Sequence, residues 1–176
     1  MKQSQRKING LDLIFGLGDY QGNLKKILHD IKFNQQKILA KFMSNLIKKE
    51  IEELKDKFDM AIPVPINKKR KKIRGFDHLE IIFKNVFDEI NLEVNNKIVI
   101  RQKNTLFLHQ LNAKERKKEL ENAFSVSDNN KKLISNKKIL LVDDILTTGE
   151  SVKSLLSEIT QSNPKSVSFL TLSEVR

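Results

Sequence analysis

The sequence predicts an α/β domain built on a mostly parallel sheet with helices on both faces. Short apolar runs rich in β-branched residues alternate with amphipathic stretches of helical spacing, the pattern of strands joined by crossover helices. One run, residues 139–142, ends in adjacent carboxylates, Asp143 and Asp144. A hydroxyl-rich turn with a single glycine, Gly149, and an amphipathic helix follow directly. In open α/β sheets ligands bind beyond the carboxyl ends of strands, so this junction is also the candidate site.

The elements follow in order. Residues 23–31 carry Leu24, Ile27, Leu28 and Ile31 at helical spacing. Residues 36–57 continue with Ile38, Leu39, Phe42, Met43, Leu46, Ile47, Ile51 and Leu54, a second and longer amphipathic helix. Residues 58–65 read as a buried strand that stops at Pro65, because proline cannot donate to a sheet ladder. Helical spacing returns over 76–90 with Leu79, Ile82, Phe83, Val86, Phe87 and Ile90. Residues 97–101 predict a second strand. Residues 103–119 are polar and basic, with a short helix near their end. A third strand is expected over 123–126 and a polar turn over 128–136. After the strand 139–142, Val152, Leu155, Leu156 and Ile159 share one face of a helix over 151–161, and 167–172 is the last strand. The stretch before Tyr20 has weak pattern and is expected as an extension or edge element. The predicted division is an N-terminal helical extension, 1–57, ahead of a core, 58–176.

At 176 residues the chain is long enough for one domain with a real core. Hydrophobic residues at 39% and charged residues at 31% exclude a disordered chain. No apolar run approaches the ~18 residues a membrane span needs, so no membrane insertion is expected. The absence of cysteine rules out disulfides and thiolate metal sites, and His29, His78 and His109 lack metal-ligand spacing, so no protein-held metal is expected. A cytoplasmic location is the expectation from these features. The net charge of +11 is uneven: +4 over 1–60, +8 over 61–118 and −1 over 119–176. A localised excess points to a polyanionic partner, although a lysine-rich chain with solvated faces would show the same total.

The chemistry of the junction has two halves. Gly149 can adopt a conformation other residues avoid, which lets backbone amides converge at the start of a helix, where unpaired N–H groups and the dipole favour an anion. Thr147, Thr148 and Ser151 add hydroxyls, and Ile145, Leu146 and Glu150 complete the loop. Asp143 and Asp144 are poor neighbours for phosphate but good acceptors for sugar hydroxyls. A 5-phosphorylated ribose offers both groups. A plain helix cap would explain the threonines and glycine but not the two carboxylates before them.

This motif resembles that of type I phosphoribosyltransferases, which bind phosphoribosyl pyrophosphate (PRPP). Ile31-Lys32-Phe33, Ile62-Pro63-Val64-Pro65, Arg74-Gly75-Phe76, Gln110, Arg116 and Ala123-Phe124 are similar in order and rough spacing to the ComF family, over about 20–176. The resemblance implies a type I phosphoribosyltransferase-like fold with 1–57 as an N-terminal helical hood. It implies a part in DNA uptake during natural transformation, with single-stranded DNA and a helicase-like competence partner. Asp143 and Asp144 would be the catalytic pair holding the ribose hydroxyls, directly or through Mg²⁺ bound with PRPP. Residues 145–151 would hold the 5-phosphate, Arg70 or Arg74 would face the pyrophosphate, and 102–121 would correspond to the loop that covers the site. The chain departs from the family pattern in four places. It has no counterpart of the four-cysteine zinc finger, Asp77-His78 stands where two amides are usual, Glu150 replaces a small residue, and Glu119 replaces an asparagine.

Residues 67–74 hold six basic residues in eight: Lys68, Lys69, Arg70, Lys71, Lys72 and Arg74. One or two arginines suffice for a pyrophosphate. Six favour a polynucleotide backbone, in a track that Arg101, Lys103, Lys114, Arg116, Lys117 and Lys118 extend. Phe76 and Phe107 are candidates to stack bases, with core packing as the alternative. The alternative function is a catalytically active phosphoribosyltransferase of nucleobase salvage, and a third reading is a DNA-handling adaptor that keeps the pocket without catalysis.

Overall fold

The computed structural model describes residues 2–103, 115 and 119–175. In chain order these form strands β1 (Lys2–Gln3) and β2 (Ile14–Gly16), helices α1 (Gly22–Phe33) and α2 (Lys37–Glu52), strand β3 (Met60–Pro63), helices α3 (Lys68–Arg74) and α4 (His78–Glu89), strands β4 (Glu93–Val94), β5 (Val99–Arg101) and β6 (Phe124–Val126), helix α5 (Asp128–Ile134), strand β7 (Lys138–Leu146), helix α6 (Glu150–Ile159) and strand β8 (Ser166–Glu174). Six strands make the main sheet in the order β1-β2-β8-β7-β3-β4. Every pairing in it is parallel except β1 with β2. The mostly parallel α/β architecture expected from the alternation is therefore the one the chain adopts. Strands β5 and β6 pair antiparallel outside that sheet.

The uniform apolar run of β7 has a physical cause: both its faces are covered. Ile139 and Leu141 pack with Val152, Leu155, Leu156 and Ile159 of α6 on one face. Leu140 and Val142 pack with buried residues of α1, α2 and α4 on the other. The weakly patterned start of the chain is the sheet edge, with Ile14 opposite Phe169 of β8. The boundary expected at 57/58 falls between α2 and β3, while the sheet and the second core draw residues from both sides of it.

Two local expectations are corrected. The polar turn expected over 128–136 contains a helix, because Ser127 Oγ accepts from Asn130 N at 3.4 Å and Ile134 gives it a buried anchor. The lysine run after Pro65, where the sequence pattern predicts no helix, is also helical. Asn67 Oδ1 accepts from Lys69 N (2.9 Å) and Arg70 N (3.4 Å) at its start, and Gly75, at φ +79°, ends it in the left-handed conformation. Among the described residues no helix is long and apolar enough to cross a membrane.

The topology fixes where a ligand can go. From β3 the chain passes through α4 to β4, on one side. From β7 it passes through α6 to β8, on the other, with α4 and α6 on opposite faces. Adjacent strands whose connections diverge in this way leave a crevice at their carboxyl ends.

Candidate functional site

Strand β7 outruns β3. Val64 N donates to Val142 O at 2.9 Å, after which Pro65 has no N–H to continue the ladder and the chain turns away into α3. From Asp143 onward β7 is paired with β8 alone, at Asp143–Thr171, Ile145–Ser173 and Leu146–Glu174. A cavity of about 1030 Å³ opens there. Its walls include Lys32 and Phe33 of α1, Arg70 and Arg74 of α3, His78, Asp143, Asp144 and Ile145, then Thr147, Thr148, Glu150 and Ser151.

The two carboxylates have different environments. Asp144 is buried, with Lys32 Nζ 2.9 Å from Oδ1 and His78 Nε2 bonded to Oδ2. His78 Nδ1 in turn meets Arg74 Nη1, and Arg74 Nε donates to Lys32 O at 3.1 Å, which closes a ring of four residues. A guanidinium can only donate, so Nδ1 accepts and the imidazole carries its proton on Nε2, aimed at Asp144. Burial keeps His78 below its ordinary value against the pull of Asp144, with the Arg74 and Lys32 charges adding to the depression. Burial also pushes Asp144 up, but the Lys32 ammonium and the His78 ring outweigh it and hold the carboxyl below the usual carboxylate range. Asp143 is half-buried, and its Oδ1 accepts from Asp144 N at 2.8 Å. Burial, and then the charge of Asp144, push Asp143 up to about 7. Adjacent acids thus carry opposite shifts, one fixed as an anion and one poised near neutrality.

The loop expected to hold a phosphate leads into the α6 N-terminus. Thr147 and Thr148 are exposed, Ser151 and Ile145 border the cavity, and the Leu146 side chain is in the core. Gly149 has φ +81°, and no side chain caps the helix, which leaves the first-turn amides to an anion. Glu150 is drawn to Lys153 Nζ at 2.6 Å, so its charge is paired along the helix.

Helix α3 divides its cations. Arg70 and Arg74 border the cavity, and burial lowers the pKa of both; Lys68, Lys69, Lys71 and Lys72 are exposed. Arg74 is 7% exposed and committed to Lys32 O and His78, whereas Arg70 is only half-buried. Arg101 also borders the cavity and donates to Pro65 O at 3.2 Å. Burial, followed by the Arg70 charge, pulls it down to about 10. Phe76 packs against the core around α4. Arg116, Lys117 and Lys118 lie outside the described residues, as do Phe107, His109 and most of 102–121. The motif acids and the two arginines of the basic run thus meet in one crevice. Sequence reasoning misses the roles of Lys32 and His78, although both stand in segments that carry the ComF resemblance or depart from it.

A resident magnesium does not fit this donor set. Both oxygens of Asp144 are taken by cationic or N–H partners, and among the described residues no group of three or more His, Asp or Glu side chains could hold a metal ion.

A model of the phosphoribosyl transferase domain matches residues 83–176, which include the whole of β7, the cradle and α6. The DNA utilization protein YhgH of Escherichia coli (strain K12) is 26% identical over 141 residues, 77% of this chain and 60% of that protein. Competence protein F of Haemophilus influenzae is 26% identical over 144 residues, 79% of this chain and 62% of that protein. The chain therefore spans about 60% of the length of the curated relatives it matches. Together with the switch-point crevice and its acid-and-glycine junction, the domain match shows that the chain belongs to the phosphoribosyl transferase domain family.

Proposed function

We propose that the crevice binds PRPP or a similar sugar phosphate, with Asp143 toward the ribose hydroxyls, the loop 145–151 around the 5-phosphate and Arg70 toward the pyrophosphate. The observation that carries this reading is the meeting, in one cavity, of a carboxylate pushed up to about 7 and an uncapped helix N-terminus a short way along the chain. Asp144 then acts through its ring of partners, holding α1, α3 and α4 against β7. Magnesium enters this reading as an ion carried by the pyrophosphate, since Mg²⁺ prefers phosphate oxygens, water and one or two carboxylates. Asp143 is the carboxylate that would meet it. Calorimetric titration of PRPP with Mg²⁺ tests the assignment: Asp143→Ala should weaken binding at least tenfold, and equal affinities would refute it.

The outer face of α3 supports a second binding function. Four exposed lysines on the rim of a crevice exceed what one pyrophosphate needs, and relatives are named for competence and DNA utilization. We infer that this face binds single-stranded DNA. Replacing Lys68, Lys69, Lys71 and Lys72 together by Glu should weaken DNA binding and flatten its salt dependence, by about 0.7 in log–log slope for each phosphate no longer neutralised. An unchanged slope would remove α3 from the DNA path.

A further inference from the structure

Residues 4–8 cross the carboxyl ends of β7 and β8 and are pinned there at three points. Ser4 donates its hydroxyl to Glu174 Oε2 at 2.6 Å. Arg6 Nη1 donates to Leu146 O at 3.3 Å and Val175 O at 3.2 Å, just where the two central strands end. Ile8 is buried against Gly149, so closely that a Cβ on Gly149 would lie 2.8 Å from Ile8 Cδ1. The crossing sets the Arg6 guanidinium beside the residue that precedes Thr147, and Arg6 borders the same cavity as Thr147, Thr148 and Ser151.

The charge balance of the cavity gives this position meaning. Lys32 and Arg74 are held on the Asp144 side, and Lys153 is paired with Glu150. The cradle itself is flanked by carboxylates. An anion bound on the amides of α6 therefore needs a cation at that end, and Arg6 is the one this wall of the cavity supplies. A guanidinium has five N–H donors in a planar fork. Among the described residues only Nη1 is engaged, which leaves Nε and Nη2 for phosphate oxygens.

We propose that Arg6 is a phosphate ligand of the cradle, so that the N-terminal segment completes the site for the 5-phosphate of a sugar phosphate. The proposal rests on the sugar-phosphate reading above and adds to it a charged donor from outside the matched domain. Ribose 5-phosphate and inorganic pyrophosphate, titrated separately by calorimetry, distinguish the two ends of the site. Arg6→Gln should weaken ribose 5-phosphate about tenfold or more and leave pyrophosphate unchanged, as expected for one charge-assisted hydrogen-bonded pair. Arg6→Lys should keep part of the affinity. Ser4→Ala loosens the same crossing without removing the charge and should bind nearly as the wild type does. Ribose 5-phosphate affinity within twofold of wild type in a folded Arg6→Gln protein would overturn the proposal. So would equal losses in Ser4→Ala and Arg6→Lys, which would assign the effect to the crossing alone. A wild-type chain that binds neither ribose 5-phosphate nor PRPP would instead overturn the underlying reading, and the proposal with it.

Discussion

Lys32→Met is expected to cost about 3 kcal/mol of stability at pH 8, and distinctly less at pH 5.5. The ammonium lies 2.9 Å from a carboxylate that is buried at the end of the central strand. Removing one member of a buried pair leaves the other charged and poorly solvated, which typically costs about 3–5 kcal/mol. Here a remedy is within reach. His78 is bonded to the other oxygen of Asp144, and in the wild type burial keeps it neutral, with Lys32 among the charges that oppose its protonation. Without Lys32, the imidazole can take up a proton on Nδ1, giving up the hydrogen bond it accepts there from Arg74, and supply part of the missing positive charge. The sign follows from linkage. In the wild type the depressed His78 contributes stability that is present above its ordinary 6.5 and is lost as the pH falls. In the variant the depression is smaller, because one of the opposing charges is gone, so less of that contribution is lost as the pH falls. The two stability curves should therefore converge on the acid side. Urea midpoints of both proteins at pH 8 and 5.5 check this, and a constant difference between them would show that His78 does not substitute for Lys32.

That exchange cannot be foreseen from the chain alone, and the reason is general. The motif 143–151 is legible because strand, turn and helix are contiguous, so periodicity and one glycine fix their geometry. The helices 22–33, 37–52, 78–89 and 150–159 are legible through apolar residues repeating on one face. The partners of Asp144 come from residues 32 and 78, far along the chain, and nothing local in Ile31-Lys32-Phe33 or Asp77-His78 says where those side chains arrive. Only the topology, which puts the end of α1 and the start of α4 against the same face of β7, brings them together. The same holds for Arg6, whose segment has no pattern because it is anchored by single interactions rather than by a buried face. Helices α3 and α5 are hidden for another reason. Each has seven residues and is mostly polar, so capping by Asn67 and Ser127, rather than amphipathicity, decides it. The +8 middle third reads as one basic track in the sequence, yet folding separates its α3 portion into inward arginines and outward lysines.

Asp143→Asn should make the protein more stable at neutral pH while impairing the site. Burial and the neighbouring Asp144 anion raise the Asp143 carboxyl from an ordinary 3.8 to about 7. Its contribution to stability is fully present below the unfolded value and is lost as the pH rises through 7, because the folded state must then hold an ionised Asp143 beside Asp144. Across that window the loss accumulates at ~1.4 kcal/mol per pH unit, up to about 4 kcal/mol at pH 8. An amide has no such dependence. The variant and the wild type should therefore match near pH 4, with the variant gaining steadily to pH 7 and holding its advantage above. Denaturant midpoints at pH 4, 6 and 8 measure the divergence, and parallel curves would mean that Asp143 does not titrate in this range. The direction of the effect bears on function. A carboxylate that destabilises the fold when ionised gains most from a ligand that stabilises its charge, whether through ribose hydroxyls or a magnesium ion carried by pyrophosphate. Binding of such a ligand near pH 6.5 should then expel a proton from Asp143. Calorimetry in buffers of different ionisation enthalpy would register that release in the wild type and lose it in Asp143→Asn.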